Sequence, residues 1–179
     1  MRVRKLALAP IAAAVMAVGS PAYAAWTGSF SDMGVNYTLS DLTVGSSITH
    51  TYSLLLVTAG YNHHATPAFL DSVDIKAWGD NAGPSNVLTF TFSAPAGSSW
   101  SAREGPISSG PVGNTGCGSG TSGFACLEAV TKGVYSVLSG PYTFGFTVTA
   151  AHASDFLTSA VGAHVGAGYA NSEIGRAHV

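Results

Sequence analysis

Charge is what this sequence has least of. Asp, Glu, Lys and Arg make up 9% of its 179 residues, against about a quarter in an ordinary soluble domain. A disordered polyelectrolyte and a coiled coil both need many more charges, so neither fits. Cations are scarcer still. Lys and Arg number 7, and Arg2, Arg4 and Lys5 sit together at the start of the chain. The others, Lys76, Arg103, Lys132 and Arg176, are scattered, whereas phosphate neutralisation needs several clustered cations. Nucleic acid is thereby excluded as a partner, and an anionic membrane surface is disfavoured. Two motifs with hydrolytic mechanics are absent too: no Gly-x-Ser-x-Gly elbow and no His-Glu-x-x-His.

Long apolar runs are also missing. Leu6 to Val18 is uncharged and broken only by Pro10. About 13 residues make ~20 Å of helix against a ~30 Å hydrocarbon core. With Arg2, Arg4 and Lys5 before it and Ala22-Tyr23-Ala24 after it, the stretch reads as a secretory signal peptide over residues 1–24, cleaved between Ala24 and Ala25. No Cys follows the run, which argues against a lipoprotein, and no Arg-Arg pair precedes it, which favours the general secretory route. Without this segment four bases face nine acids, a formal charge of −5. What remains suits one domain over residues 25–172, able to bury roughly 70% of its unfolded surface. Residues 173–179 read differently: Glu173-Ile174-Gly175-Arg176-Ala177-His178-Val179 is the translation of a common sequencing adapter.

Helical periodicity is nearly absent. A short helix is expected from Ser154, as N-cap, to Val161, with Gly162 ending it. Elsewhere the period is two. His50, Tyr52, Leu54 and Leu56 share a face, as do Val73, Ile75 and Ala77. The same holds for Leu88, Phe90 and Phe92, and most clearly for Tyr142, Phe144, Phe146 and Val148. Between them lie Thr and Ser, so one face turns to a core and the other to water. The expected fold is all-β, a two-sheet antiparallel β-sandwich of jelly-roll-like form, with a closed β-barrel as the alternative. Residues 95–123, rich in Gly, Ser and Pro, read as one long loop.

Cysteine is limited to Cys117 and Cys126. An even pair in an exported chain favours a disulfide. Two thiols nine apart, with no histidine nearby and no Cys-x-x-Cys, suit neither a metal nor a redox pair. Gly118-Ser119-Gly120-Thr121-Ser122-Gly123 satisfies G-x-G-x-x-G, but a strand-like Phe124-Ala125-Cys126-Leu127 follows where a dinucleotide site needs a helix. No cofactor is expected.

Candidates for other chemistry are thin. His63 and His64 are adjacent, so in extended chain they point apart and do not chelate together. His50 lies on an apolar face, where a hydrogen-bonded core histidine is expected, and His152 and His164 lack ligand spacing. Asp71, Asp74 and the Asp80-Asn81 turn offer oxygen to Ca²⁺, although turn formation explains them better. Nothing singles out two carboxylates for glycoside hydrolysis. Trp26, Trp78, Trp100 and Tyr61 are candidates for stacking on glycans, against the competing expectation that large aromatics are buried.

Four segments carry a resemblance: Phe69-Leu70-Asp71-Ser72-Val73-Asp74-Ile75-Lys76; Phe92-Ser93-Ala94-Pro95-Ala96-Gly97 with Trp100 beyond it; Asn114 through Cys126; and Gly162-Ala163-His164-Val165-Gly166. In order and spacing they are similar to the ectodomains of PEP-CTERM sorting-signal proteins, exported by Gram-negative bacteria that make exopolysaccharide and biofilm. The likeness spans most of 35–170, and the Gly/Ser-rich loop between the cysteines is its most specific piece. The family's Pro-Glu-Pro motif, apolar anchor and basic tail do not occur in these residues; an adapter-derived ending would account for that. The resemblance implies a non-enzymatic structural or adhesive protein of the cell surface or extracellular matrix, in contact with exopolysaccharide or other surface glycans. A carbohydrate-binding module is the alternative.

Overall fold

The computed structural model describes residues 26–62, 69–78, 87–96, 99–109, 115–118, 123–170 and 174–178. The signal segment with its Ala24–Ala25 junction, His63, His64, Asp80 and Asn81 lie outside them. Within them the alternating stretches form strands: β1 (Trp26–Asp32), β2 (Val35–Asp41), β3 (Thr49–Val57), β4 (Phe69–Lys76), β5 (Val87–Ser93), β6 (Trp100–Glu104) and β7 (Ile107–Ser109). They continue with β8 (Thr115–Cys117), β9 (Ala125–Ala129), β10 (Tyr135–Ser136), β11 (Tyr142–Ala150), β12 (His164–Tyr169) and β13 (Ile174–His178). Pairing is antiparallel throughout. One sheet has five strands in the order β1-β2-β3-β11-β5. The other has six, in the order β13-β12-β4-β9-β6 with β10 beside β4. Neither sheet closes on itself, so the fold is a sandwich and the barrel alternative falls.

The five-stranded sheet follows the period-two rule closely. His50, Tyr52, Leu54 and Leu56 of β3 and Tyr142, Phe144, Phe146 and Val148 of β11 point inward and are buried. Its outer face carries paired hydroxyls: Thr27 with Ser40, Ser29 with Thr38, Thr49 with Thr149, and Thr51 with Thr147. The β1–β2 hairpin turns on Met33 and Gly34, with φ of 53° and 76°. Both central residues lie in the left-handed region, as a type I′ turn demands, and the Met33 N–H is held by Asp32 Oδ1. A side chain at Gly34 would strike the Gly60 carbonyl.

Between the sheets Val73, Ile75, Leu127, Val165 and Ala167 meet the inward aromatics of the first sheet. The Tyr37 and Tyr169 hydroxyls pair at 3.2 Å across the layers; burial pushes the Tyr37 phenol up to about 12.

The six-stranded sheet departs from simple alternation. Six consecutive residues of β4, Leu70 to Ile75, are buried, because something covers both faces. The second cover is the β7–β8 hairpin, tied to β9 by the Cys117–Cys126 disulfide. Asp71 is the extra residue of a bulge between the Leu70–Tyr169 and Ser72–Gly168 pairs.

Three local expectations change. The stretch 95–123 is no single loop, since β6, β7 and β8 fall in it. No helix forms over 154–161: a 3-10 turn spans Ala153–Asp155, after which Phe156 bridges to Trp78 and the Leu157 N–H bonds the Ala77 carbonyl. Burying Phe156 against the sandwich outweighs continuing an isolated helical turn. Finally, β5 is an edge strand, so Phe90 is half-buried and Phe92 is 38% exposed rather than sealed in the core. Ile174–His178, inside the segment read as adapter, pairs with β12 through backbone groups that any sequence supplies.

A cleft at one end of the sandwich, and a clamped hairpin on its flank

Two polar residues occupy inward positions beside each other. Asp41 closes the inward series Val35, Tyr37, Leu39 of β2, and His50 opens that of β3. Their side chains meet with His50 Nδ1 2.6 Å from Asp41 Oδ2, and both are buried. Asp41 Oδ1 accepts the Thr43 N–H at 2.9 Å, and Thr43 Oγ1 accepts the Thr51 N–H at 2.8 Å. Loop 42–48 is thereby fixed from within. Phe156 lies over the imidazole with ring centroids 3.9 Å apart. The Trp26 indole N–H donates to the Leu157 carbonyl at 2.9 Å, which fixes the loop after β11 from the other side.

Between these two loops lies a cleft of about 430 Å³. Trp26, Phe156 and Leu157 form apolar walls; His50 and Asp41 form its inner end; Ser46, Ser154 and Thr158 stand exposed at the rim. In the Nδ1–H tautomer of the imidazole, Nδ1 donates to Asp41 and the ring lone pair falls on Nε2. Nε2 makes no hydrogen bond among the described residues, and the His50 side chain as a whole is 8% exposed. The arrangement can accept a hydrogen bond or a proton. Among the described residues, neither Ser46 nor Ser154 is hydrogen-bonded to the imidazole.

On the flank, the β7–β8 hairpin is held to the six-stranded sheet by side chains as well as sulfur. Asp74 Oδ2 accepts the Ile107 N–H at 2.8 Å, and Arg176 donates to the Ile107 carbonyl at 2.9 Å. Glu128 Oε2 accepts the Cys117 N–H at 3.1 Å. Lys132 Nζ reaches the Thr115 carbonyl at 2.8 Å, the Asp71 carbonyl at 3.3 Å and Glu128 Oε1 at 3.2 Å. Burial pushes the Asp74 carboxyl up to about 6, against the opposing pull of the Ile107 N–H and Arg176. Asp71 is raised too, chiefly by burial, with Lys132 opposing, and its Oδ2 has no partner among the described residues.

Of the residues singled out in the sequence, Cys117 and Cys126 pair as expected, with Cα atoms 5.7 Å apart. Trp78 and Trp100 are in the core; Trp100 packs edge-on against Phe144 with centroids 4.9 Å apart. Tyr61 is half-buried beside Tyr169. Trp26 is as buried as Trp100, each 8% exposed, and it is the one of the four that borders the cleft. Asp71 and Asp74 lie inside β4 rather than in turns, and among the described residues no group of three or more His, Cys, Asp or Glu is placed to hold a metal ion. His50 is the hydrogen-bonded inward histidine its strand pattern indicates. Its pairing with Asp41 went unread, although an acid at an inward position of the neighbouring strand was the available signal.

Comparison with protein-family models, with curated proteins and with solved structures finds no match.

Proposed function

We propose that this chain is an exported, non-enzymatic protein of the cell surface or extracellular matrix, with a structural or adhesive role among exopolysaccharides. The observation that carries the reading is the Cys117–Cys126 bridge at the root of the β7–β8 hairpin. A structural disulfide persists in oxidising compartments and is rare in reducing ones. The resemblance to PEP-CTERM ectodomains and the leader-like residues 1–24 support the same compartment. The paired hydroxyls on the five-stranded sheet suit a surface that remains wet.

The experiment is thiol labelling of the protein recovered from cell envelope, medium and cytoplasm, with bound polysaccharide measured in the same fractions. The reading requires protein outside the cytoplasm, both cysteines refractory to labelling, and co-purification with matrix polysaccharide. Cytoplasmic protein with two reactive thiols would end it.

A second reading, a carbohydrate-binding module, is favoured by one observation. The end cleft joins an indole, a buried imidazole–carboxyl pair and a hydroxyl-bearing rim.

A further inference from the structure

We infer that the cleft between loop 42–48 and the loop after β11 binds the terminal residue of a neutral glycan, one carrying a deoxy or acetyl group; this rests on the carbohydrate-binding reading.

Three features define the occupant. The first is the hydrogen-bonding sense at the inner end. His50 Nδ1 is held by Asp41 Oδ2 at 2.6 Å, which leaves the other ring nitrogen for a ligand; in the Nδ1–H tautomer it accepts from a hydroxyl. The second is charge. No Lys or Arg lines the cleft, while the Asp41 carboxylate lies at its inner end. With an acidic side chain and no Lys or Arg in its lining, the cleft does not attract a uronate, sialate or phosphate. The third is the wall. Trp26, Phe156 and Leu157 present apolar surface that a fully hydroxylated sugar would wet poorly but a methyl or acetyl group would fill.

The rim argues for a sugar over a plain hydrophobic ring. Ser46, Ser154 and Thr158 are all exposed and placed to meet further hydroxyls as the ligand leaves the cleft. The volume, about 430 Å³, lies within the ~300–1,000 Å³ usual for small-molecule sites. Loops 42–48 and 151–163 are both anchored to the sandwich through Thr51, Ala77 and Trp26, so the cleft is formed before a ligand arrives.

The test uses the folded chain with ¹⁵N-histidine labelling and three probes: methyl rhamnoside, methyl N-acetylglucosaminide and methyl glucuronide. The neutral glycosides are expected to move the His50 Nε2 resonance with millimolar affinity, and the glucuronide to bind at least tenfold more weakly. His50→Gln should weaken the neutral probes about tenfold. Ser154→Trp changes only an exposed rim position and should abolish binding by filling the mouth with the fold intact, which covers the case where the buried variant does not fold. No shift with either neutral glycoside, equal binding of the glucuronide, or binding that survives Ser154→Trp would overturn the assignment. Loss of sugar binding together with continued retention on matrix polysaccharide would reject this cleft and leave the surface-protein reading standing.

Discussion

The outward faces of the two sheets are built on opposite principles. On the five-stranded sheet, hydroxyls pair across strands and meet water directly, as Thr51 does with Thr147. On the six-stranded sheet the corresponding positions, Ser72 and Asp74, are sealed under a hairpin and answered by it: Asp74 accepts the Ile107 backbone N–H, and the Ser72 hydroxyl donates to the Thr115 hydroxyl. The first face is cheap to change because solvent replaces any lost bond. The second is not, since a buried polar group deprived of its partner carries its full desolvation cost. Stability that depends on redox state and pH should therefore concentrate on the hairpin side.

The largest break in this contrast is expected from removing the bridge. Cys117→Ser with Cys126→Ser should cost about 3 kcal/mol, the chain-entropy value for so short a loop, read from urea unfolding. Next comes the buried acid. Unfolded, Asp74 titrates near 3.8; folded, it is raised to about 6. Its stabilising contribution is then fully present below pH 3.8 and is lost as the pH climbs through about 6. Relative to Asp74→Asn, the wild type should lose on the order of 2–3 kcal/mol between pH 4 and pH 7. An unchanging difference between the two curves would place Asp74 in solvent. Third is Gly168→Ala, whose added carbon would collide with the hydroxyls of both Ser72 and Thr115. Overpacking of this kind costs about 1–3 kcal/mol in thermal or chemical unfolding. The smallest effect sharpens the comparison from the other side: Thr147→Ala on the open face should stay within ~0.5 kcal/mol.

The same contrast explains what could be read from the residues alone. Period two gives the inward faces of β3 and β11 outright, because a wet face and a dry face leave opposite signatures on one strand. For β4 it gives the inward Val73 and Ile75 but not the second dry face, where Asp74 looks like any solvent-facing acid. It fails for β1, where Gly28 takes an inward position and leaves no apolar mark there. The hairpin was hidden inside a Gly/Ser-rich stretch whose strands are three residues each, too short to show alternation. Its root was legible nonetheless, through the two cysteines. The cleft was half legible. His50 stood out on an apolar face, but its relation to Asp41 and Phe156 depends on two loops folding over one end of the sandwich, and a strand pattern carries no information about loop placement.

Amide hydrogen exchange on the oxidised and the reduced protein puts the central claim to its most direct test. With the bridge intact, the Ile107 and Cys117 amides should be protected to nearly the level of β3 and β11; on reduction they should exchange many-fold faster while β3 and β11 hold. Free-chain exchange at Ile107 and Cys117 in the oxidised protein would contradict a sealed outer face on the six-stranded sheet.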